Sequence, residues 1–446
     1  MNRPPRCCGR VSLGAHTLNK TLSALERERK IEASGVRRIF TPFAPIKTEG
    51  FLLGRAEEVQ ELISSVNTPG QYALIYGNRG VGKSSLAVVV SKIVKKHFNY
   101  DVFITRCDSE TTLTRILSDV LVSLGIDPNR INEKFQSAQS GAAKAGVGFF
   151  GADIKSQRTS WTETDSKTNL QSSAWLAKLV KDKKYLLVVD EADAIKCEVE
   201  KRKISEFLKI LSDSSAKFKM IIVGVATTGK DLIENHKSVE RCINEIVLSP
   251  IKISALKSIV TEGAKRLNLH IEDDVVDDIV DISCGYPHFV HLIALRCAEQ
   301  AIIEELQLFT QEMLPEALRL SAKYSDGRFK RIYEECIEIN SDVTRKVLLG
   351  AALCHHKGFL VRELLEMTTN AVDNSLSKWQ IENCLRRIVN SGQADVITRV
   401  GRGHYRFADP RMPSYIRMLN GFTFTQDSLI VDILRSEYGK RYGSTN

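Results

Sequence analysis

The chain has 446 residues, of which 43% are apolar and 26% charged, with ten cysteines and a formal net charge of +9. That length exceeds what one hydrophobic core organises, so two or three domains are expected and a small disulfide-stapled module is excluded. No apolar run approaches 18 residues, which argues against a membrane-spanning helix, and cysteines scattered singly apart from Cys7-Cys8 point to reduced thiols in a cytoplasmic setting. The positive charge gathers at the two ends, with an excess of six in the first 45 residues and five in the last 106. Such ends permit a nucleic-acid partner, although solvated surfaces carry similar excesses.

Residues 1–45 read as a basic, disordered tail. Arg3, Arg6 and Arg10 precede any acidic residue, a composition shared with organellar targeting segments, and no apolar stretch suits secretion. Patterned sequence begins near Thr41-Pro42. Short apolar runs at 72–76, 102–105, 185–189, 220–225 and 243–248 alternate with helical stretches, the pattern of a parallel sheet with crossover helices. One such helix is expected over Leu113, Ile116, Leu117, Val120, Leu121 and Leu124. Residues 46–250 thus form an α/β domain interrupted at 137–170 by a glycine-rich insert. There Lys144, Lys155 and Arg158 accompany Phe149, Phe150 and Trp161, a mixture suited to a nucleic acid or a partner and equally to a loop.

After Pro250 the strands stop, and residues 251–325 read as helices only. The segment 326–446 changes pattern again, with helices followed by two short strands around Gly401-Arg402-Gly403. A tight glycine turn between strands is a β-hairpin, and helices followed by such a hairpin look like a winged helix. Within it the helix from Ser377 to Asn390 would bury Ile381, Cys384, Leu385 and Ile388, leaving Lys378, Gln380, Arg386 and Arg387 for phosphates or base edges; Arg399, Arg402 and Arg406 fall on the wing. Cys354-His355-His356 lacks the distant ligands that a zinc site requires.

The chemistry concentrates in two motifs. Gly77-Asn78-Arg79-Gly80-Val81-Gly82-Lys83-Ser84 fits GxxxxGK[ST] between a strand and a helix, with Ser85 following. Glycines let successive N–H groups turn toward the β- and γ-phosphates of a nucleotide, Lys83 adds charge, Ser84 offers a hydroxyl to Mg²⁺, and the helix N-terminus favours the same anion. The second motif is the strand Leu186-Leu187-Val188-Val189 ending in Asp190-Glu191. Asp190 is placed to hold Mg²⁺ and Glu191 to polarise an attacking water, since phosphoryl transfer depends on an oriented nucleophile and charge neutralisation. Asp190-Glu191-Ala192-Asp193 also spells a helicase box, but no second motor half accompanies it.

Together these motifs resemble those of the AAA+ and STAND branch of P-loop ATPases, close to the origin-initiator-like AAA+ ATPases. Further residues carry the likeness across about 46–325. Phe51-Leu52-Leu53-Gly54-Arg55 with Glu58 resembles the segment that opens the domain near adenine. Ala226-Thr227-Thr228 is similar to sensor 1, which implies that Thr227 contacts the γ-phosphate or the water. The stretch from His236 to Arg241, followed by 246–250, resembles the one carrying the arginine finger, implying that Arg241 acts on a neighbouring subunit of a homo-oligomer; a surface ion pair is the alternative. Gly285-Tyr286-Pro287 resembles the start of the lid, where His288 replaces the family's arginine and would either hydrogen-bond the nucleotide or pack.

The resemblance implies an ASCE-type α/β P-loop sheet with a helical lid and a C-terminal winged helix. The expected activity is Mg²⁺-dependent ATP hydrolysis coupled to oligomerisation and to double-stranded DNA. A STAND-like switch with slow turnover and a protein partner, such as an effector or a recombinase, is the alternative.

Overall fold

The computed structural model describes residues 24–46, 52–128, 170–233, 237–337, 341–354, 358–390 and 396–423. The chain divides into two units, one of residues 45–249 and one joining residues 1–44 to 250–446.

Residues 24–34 form helix α1, and Val36–Ile39 form a short α2 after Gly35 turns the chain at φ 72°. A disordered tail over 1–45 was expected; residues 24–44 are folded instead, and 1–23 lie outside the described residues. The reason is a spaced set of anchors. Ile31, Val36 and Phe40 are buried, and the Phe40 ring sits so close over Gly263 that a Cβ there would come within 2.4 Å of it. The positive charges dock rather than repel, since Arg37 Nε donates to Glu299 at 2.9 Å and Lys30 Nζ to Glu305 at 2.5 Å.

The unit 45–249 opens with α3 (Ala56–Asn67) and is organised by strands β1 (Tyr72–Gly77), β2 (Asp101–Arg106), β3 (Tyr185–Asp190), β4 (Lys219–Val225) and β5 (Ile243–Leu248). They form one parallel sheet in the order β2-β3-β4-β1-β5. β1, β3 and β4 are buried almost throughout, as continuous apolar runs in a covered parallel sheet should be, whereas the edge strands β2 and β5 keep exposed positions. Crossover helix α4 (Lys83–Phe98) follows β1.

The crossover expected as one helix over 113–124 is broken at Leu117 into α5 (Leu113–Ile116) and α6 (Ser118–Ser123), yet its apolar stripe stays buried as far as Leu121, with Leu124 half-buried. Helices α7 (Ser173–Val180) and α8 (Glu198–Asp213) contribute to the same core, where Phe207 meets Phe218 edge to face at 5.9 Å beside Leu74, Leu187 and Met220. Burying each such side chain contributes about 1.5–3 kcal/mol. A short α9 (Lys237–Glu240) precedes β5. The expected insert lies outside the described residues apart from Leu170, which joins this core.

In the other unit, α10 (Ile253–Arg266), α11 (Asp273–Ser283), α12 (Pro287–Ile303) and α13 (Leu314–Lys323) form the helical segment. It is not purely helical. The two-residue strands β6 (His270–Ile271) and β7 (Leu308–Phe309) pair in parallel, too short a feature to leave a periodic trace in the sequence. Next come α14 (Gly327–Ile337), α15 (Ser341–Leu353), β8 (Phe359–Leu360), α16 (Val361–Met367), a π-turn at Thr368–Val372 and α17 (Lys378–Asn390).

The expected hairpin follows as β9 (Ile397–Gly401) and β10 (His404–Phe407), and β8 adds an unforeseen third strand in the antiparallel order β8-β10-β9. Helix α18 (Met412–Asn420) closes the described chain and carries buried Arg417, which donates to the carbonyls of Ala352 and Asp281, each at 2.8 Å. That guanidinium ties the end of α11 to α15. Phe329 also stands between Phe289 and Tyr415, with ring centroids 6.4 and 5.6 Å away. No helix among the described residues is long and apolar enough to cross a membrane.

Candidate functional site

The parallel order places the C-terminal ends of β1, β4 and β3 side by side, the edge at which open α/β sheets bind ligands. The loop 77–84 leaves β1 there. Gly77 has φ 143°, and a Cβ on it would lie 2.3 Å from the Leu248 carbonyl oxygen, so the end of β5 closes onto the loop only because residue 77 is glycine. Gly82, at φ 97°, is the N-cap of α4. Lys83 is buried, and its ammonium donates to the carbonyls of Gly77 at 3.0 Å and Asn78 at 2.7 Å. Asn78 and Arg79 are exposed, Gly80 also has positive φ, and Val81 is buried beneath the loop. Ser85 turns its hydroxyl to accept the Ile46 N–H at 3.0 Å.

Ser84 Oγ donates to Asp190 Oδ1 at 3.0 Å, so the loop and the acidic strand meet although 106 residues separate them. The same oxygen accepts the Glu191 N–H at 3.0 Å. Glu191 is exposed and holds a left-handed backbone, φ 59° and ψ 38°, sustained by the 3-10 turn in which Ala194 N–H donates to its carbonyl at 2.9 Å. Positive φ at a non-glycine residue is uncommon and gathers at functional sites.

The adjacent end of β2 places Cys107 against this acidic group. Burial, then Asp108, Asp190, Asp193 and Glu191, push its thiol up to about 12, so it stays protonated and packs as an inert residue. Among the described residues no cluster of three or more His, Cys, Asp or Glu side chains is arranged to hold a metal alone. The Ser84 hydroxyl beside the Asp190 carboxylate nevertheless suits Mg²⁺, an ion usually bound by one or two protein oxygens together with phosphates and waters.

Thr227 is exposed in the turn after β4, and so leaves the sheet between the loop-bearing β1 and the acidic β3. Asp231 accepts the N–H groups of Thr227 at 3.2 Å and Thr228 at 3.0 Å, and a reciprocal capping box between Thr228 and Asp231 fixes the turn. These bonds hold the Asp231 carboxyl below its ordinary range.

Three supporting residues have roles that the short motifs did not assign. Arg55 is buried and reaches Glu58 at 2.6 Å, the Val81 carbonyl at 3.0 Å and the Ser249 carbonyl at 2.5 Å, clamping the loop to the end of β5. Asp193 Oδ1 accepts the Val225 N–H at 2.8 Å and pins the acidic turn to β4. Tyr76, the residue before Gly77, donates its hydroxyl to Glu245 at 2.8 Å. The GR-x-x-E spacing pointed at Arg55 and at Glu58, but not at the two carbonyls.

Arg241 stands before β5 and pairs with Asp213 at 2.6 Å, both side chains being exposed. Because Ile243 is level with Tyr72, Arg241 lies at the opposite edge of the sheet from the loop, about 20 Å of strand away. It therefore does not reach the phosphate loop of its own chain. His288 belongs to the other unit. Its Nδ1 faces the Pro42 carbonyl at 2.9 Å and its ring lies 5.3 Å from that of Phe289.

The model of the family described as novel STAND NTPase 1 matches residues 40–294. No curated protein matches the sequence. Solved structures similar to the chain include the Walker-type ATPase Paby2304 of Pyrococcus abyssi, at 15% identity, covering 84% of this chain and 99% of that one with a TM-score of 0.47. The Aeropyrum pernix Orc1 protein, solved in complex with DNA, is similar at 14% identity, 89% and 98% coverage and a TM-score of 0.44. Cdc6p from Pyrobaculum aerophilum follows at 15%, 90% and 98%, and 0.44. With the phosphate loop joined to the acidic strand and the family model matching more than half of its length, the chain belongs to the novel STAND NTPase 1 family.

Proposed function

We propose that the chain binds ATP with Mg²⁺ and hydrolyses it, and that nucleotide state governs assembly into homo-oligomers and binding to duplex DNA. The observation that carries this reading is the Ser84–Asp190 hydrogen bond with Glu191 next in sequence at a left-handed turn. It brings a metal-suited hydroxyl and carboxylate to one point, with Glu191 the next residue along the chain. The loop N–H groups and Lys83 bind the β- and γ-phosphates, Glu191 orients and deprotonates the attacking water, and Thr227 holds the water or the γ-phosphate. Ser84 and Asp190 would hold Mg²⁺, which would supply positive charge to the phosphates.

Arg241 completes the site of a neighbouring subunit, a role supported by its exposure and its place at the far edge of the sheet. DNA binding rests on exposed Lys378, Arg386 and Arg387 of α17 and on the hairpin, where Arg402 occupies the turn. Arg399 pairs across from Tyr405 and Arg406 from Thr398, so these two arginines stand on alternate faces of the hairpin.

A mixing experiment tests assembly. Arg241→Ala and Lys83→Ala proteins should each be inactive alone and recover part of the turnover together, because Lys83→Ala still lends Arg241 to an intact loop. Absence of recovery removes the finger. Duplex DNA should raise wild-type turnover, and its binding should weaken steeply with salt.

The Arg241–Asp213 ion pair favours a second reading, in which Arg241 is a surface residue and the chain is a STAND-like switch acting on an effector or recombinase protein. ATP-dependent oligomers indifferent to DNA, with very slow turnover, would select it.

A further inference from the structure

The turn carrying Thr227 is held from two directions. Asp231 fixes it from within. From below, the Tyr76 hydroxyl donates to Glu245 Oε2 at 2.8 Å, and that carboxylate packs directly against Gly229 of the turn. Tyr76 is buried and immediately precedes the phosphate loop, and Glu245 lies on β5. The Tyr76–Glu245 pair thus joins the Thr227 turn to the strand that launches the loop and to the edge strand beside it. Residue 229 is shaped for this contact, since a Cβ there would lie 2.6 Å from Glu245 Oε1 and 2.7 Å from its Cδ, and no other group comes as near.

We propose that Tyr76 and Glu245 are positioning residues for hydrolysis, bracing the Thr227 turn at a fixed offset from the phosphate loop. The inference rests on the reading of Thr227 given above. The pair is suited to the task because the Tyr76 hydroxyl fixes the carboxylate against which Gly229 packs, so one hydrogen bond sets the distance between two strands and the turn. Displacing the turn leaves the loop and its phosphate contacts in place and shifts only the residue meant to meet the reacting end, which alters turnover and not binding.

Two variants perturb the brace gently. Tyr76→Phe removes the hydroxyl and keeps the ring. Gly229→Ala keeps the backbone conformation and pushes the Glu245 carboxylate away. Each is expected to lower kcat about tenfold with KM, nucleotide affinity and melting temperature near wild type, and the double variant to fall no further, because both break one linkage. Thr227→Ala is the reference and should lower kcat at least as much. If Thr227→Ala lowers kcat while the other two turn over as wild type, or lose nucleotide affinity and stability in step with rate, the brace is overturned and the Thr227 reading stands. Multiplicative losses in the double variant also overturn it. An unchanged Thr227→Ala removes the Thr227 reading and the brace with it.

Discussion

Ser84 Oγ donates to Asp190 Oδ1 across 3.0 Å, joining the helix that follows β1 to the end of β3. β4 runs between those two strands and ends in the Thr227 turn, so three separate stretches of sequence converge on one edge of the sheet. The remaining groups at that edge hold this convergence in place, and each can be tested apart from the chemistry.

Arg55 is the most heavily used of them. Its guanidinium is buried and serves Glu58, the Val81 carbonyl and the Ser249 carbonyl. Arg55→Ala leaves one carboxylate and two carbonyls short of a donor, at an expected cost of about 3 kcal/mol. Because Val81 lies within the phosphate loop, nucleotide affinity should fall as well. Urea unfolding without nucleotide, paired with a nucleotide titration, separates the two effects. Arg55→Lys should recover only part of each, since one ammonium does not reproduce the planar fork.

Glu191 sets function against stability. Its left-handed backbone is unfavourable for any residue with a Cβ. Glu191→Gly should therefore stabilise the folded protein by about 1 kcal/mol while abolishing turnover. Thermal unfolding and a hydrolysis assay on the same preparation check this. A destabilised Glu191→Gly would mean that the carboxylate is needed for folding.

His291 makes the unit that holds α1, α2 and α12 sensitive to acid. The imidazole is buried beside Phe40, and the Thr41 N–H approaches its Nδ1 at 3.4 Å. Burial, with His288 as a second cause, pushes it down to about 4 from an ordinary 6.5. The folded form then stays neutral where the unfolded chain takes up a proton. Stability from this group is complete above about pH 6.5 and is lost as pH falls through 4, a total of about 3 kcal/mol. Urea midpoints measured from pH 7 to 4.5 should decline less steeply in His291→Phe than in wild type, and equal slopes would contradict the assignment.

Much of the site was legible because its signals are local. The spacing from Gly77 to Ser84 encodes the loop by itself, and Asp190-Glu191 closes an apolar strand. Arg55, Asp193, Tyr76 and Glu245 were not assigned their roles, because all their partners but Glu58 lie between 26 and 194 residues away and no short spacing records them. The folded segment 24–44 was hidden for another reason. Its charged residues outnumber its apolar anchors, and its docking rests on three scattered buried side chains, Ile31, Val36 and Phe40, with two ion pairs to distant residues. β8 escaped notice because two residues carry no periodicity.

The most direct test of the central account compares ATP binding and steady-state hydrolysis in wild type, Lys83→Ala and Glu191→Gln. Wild type should bind and hydrolyse, Lys83→Ala should lose binding, and Glu191→Gln should bind as wild type while turning over at least about a hundredfold more slowly. Hydrolysis undiminished in Glu191→Gln, or nucleotide bound equally well without Lys83, would contradict it.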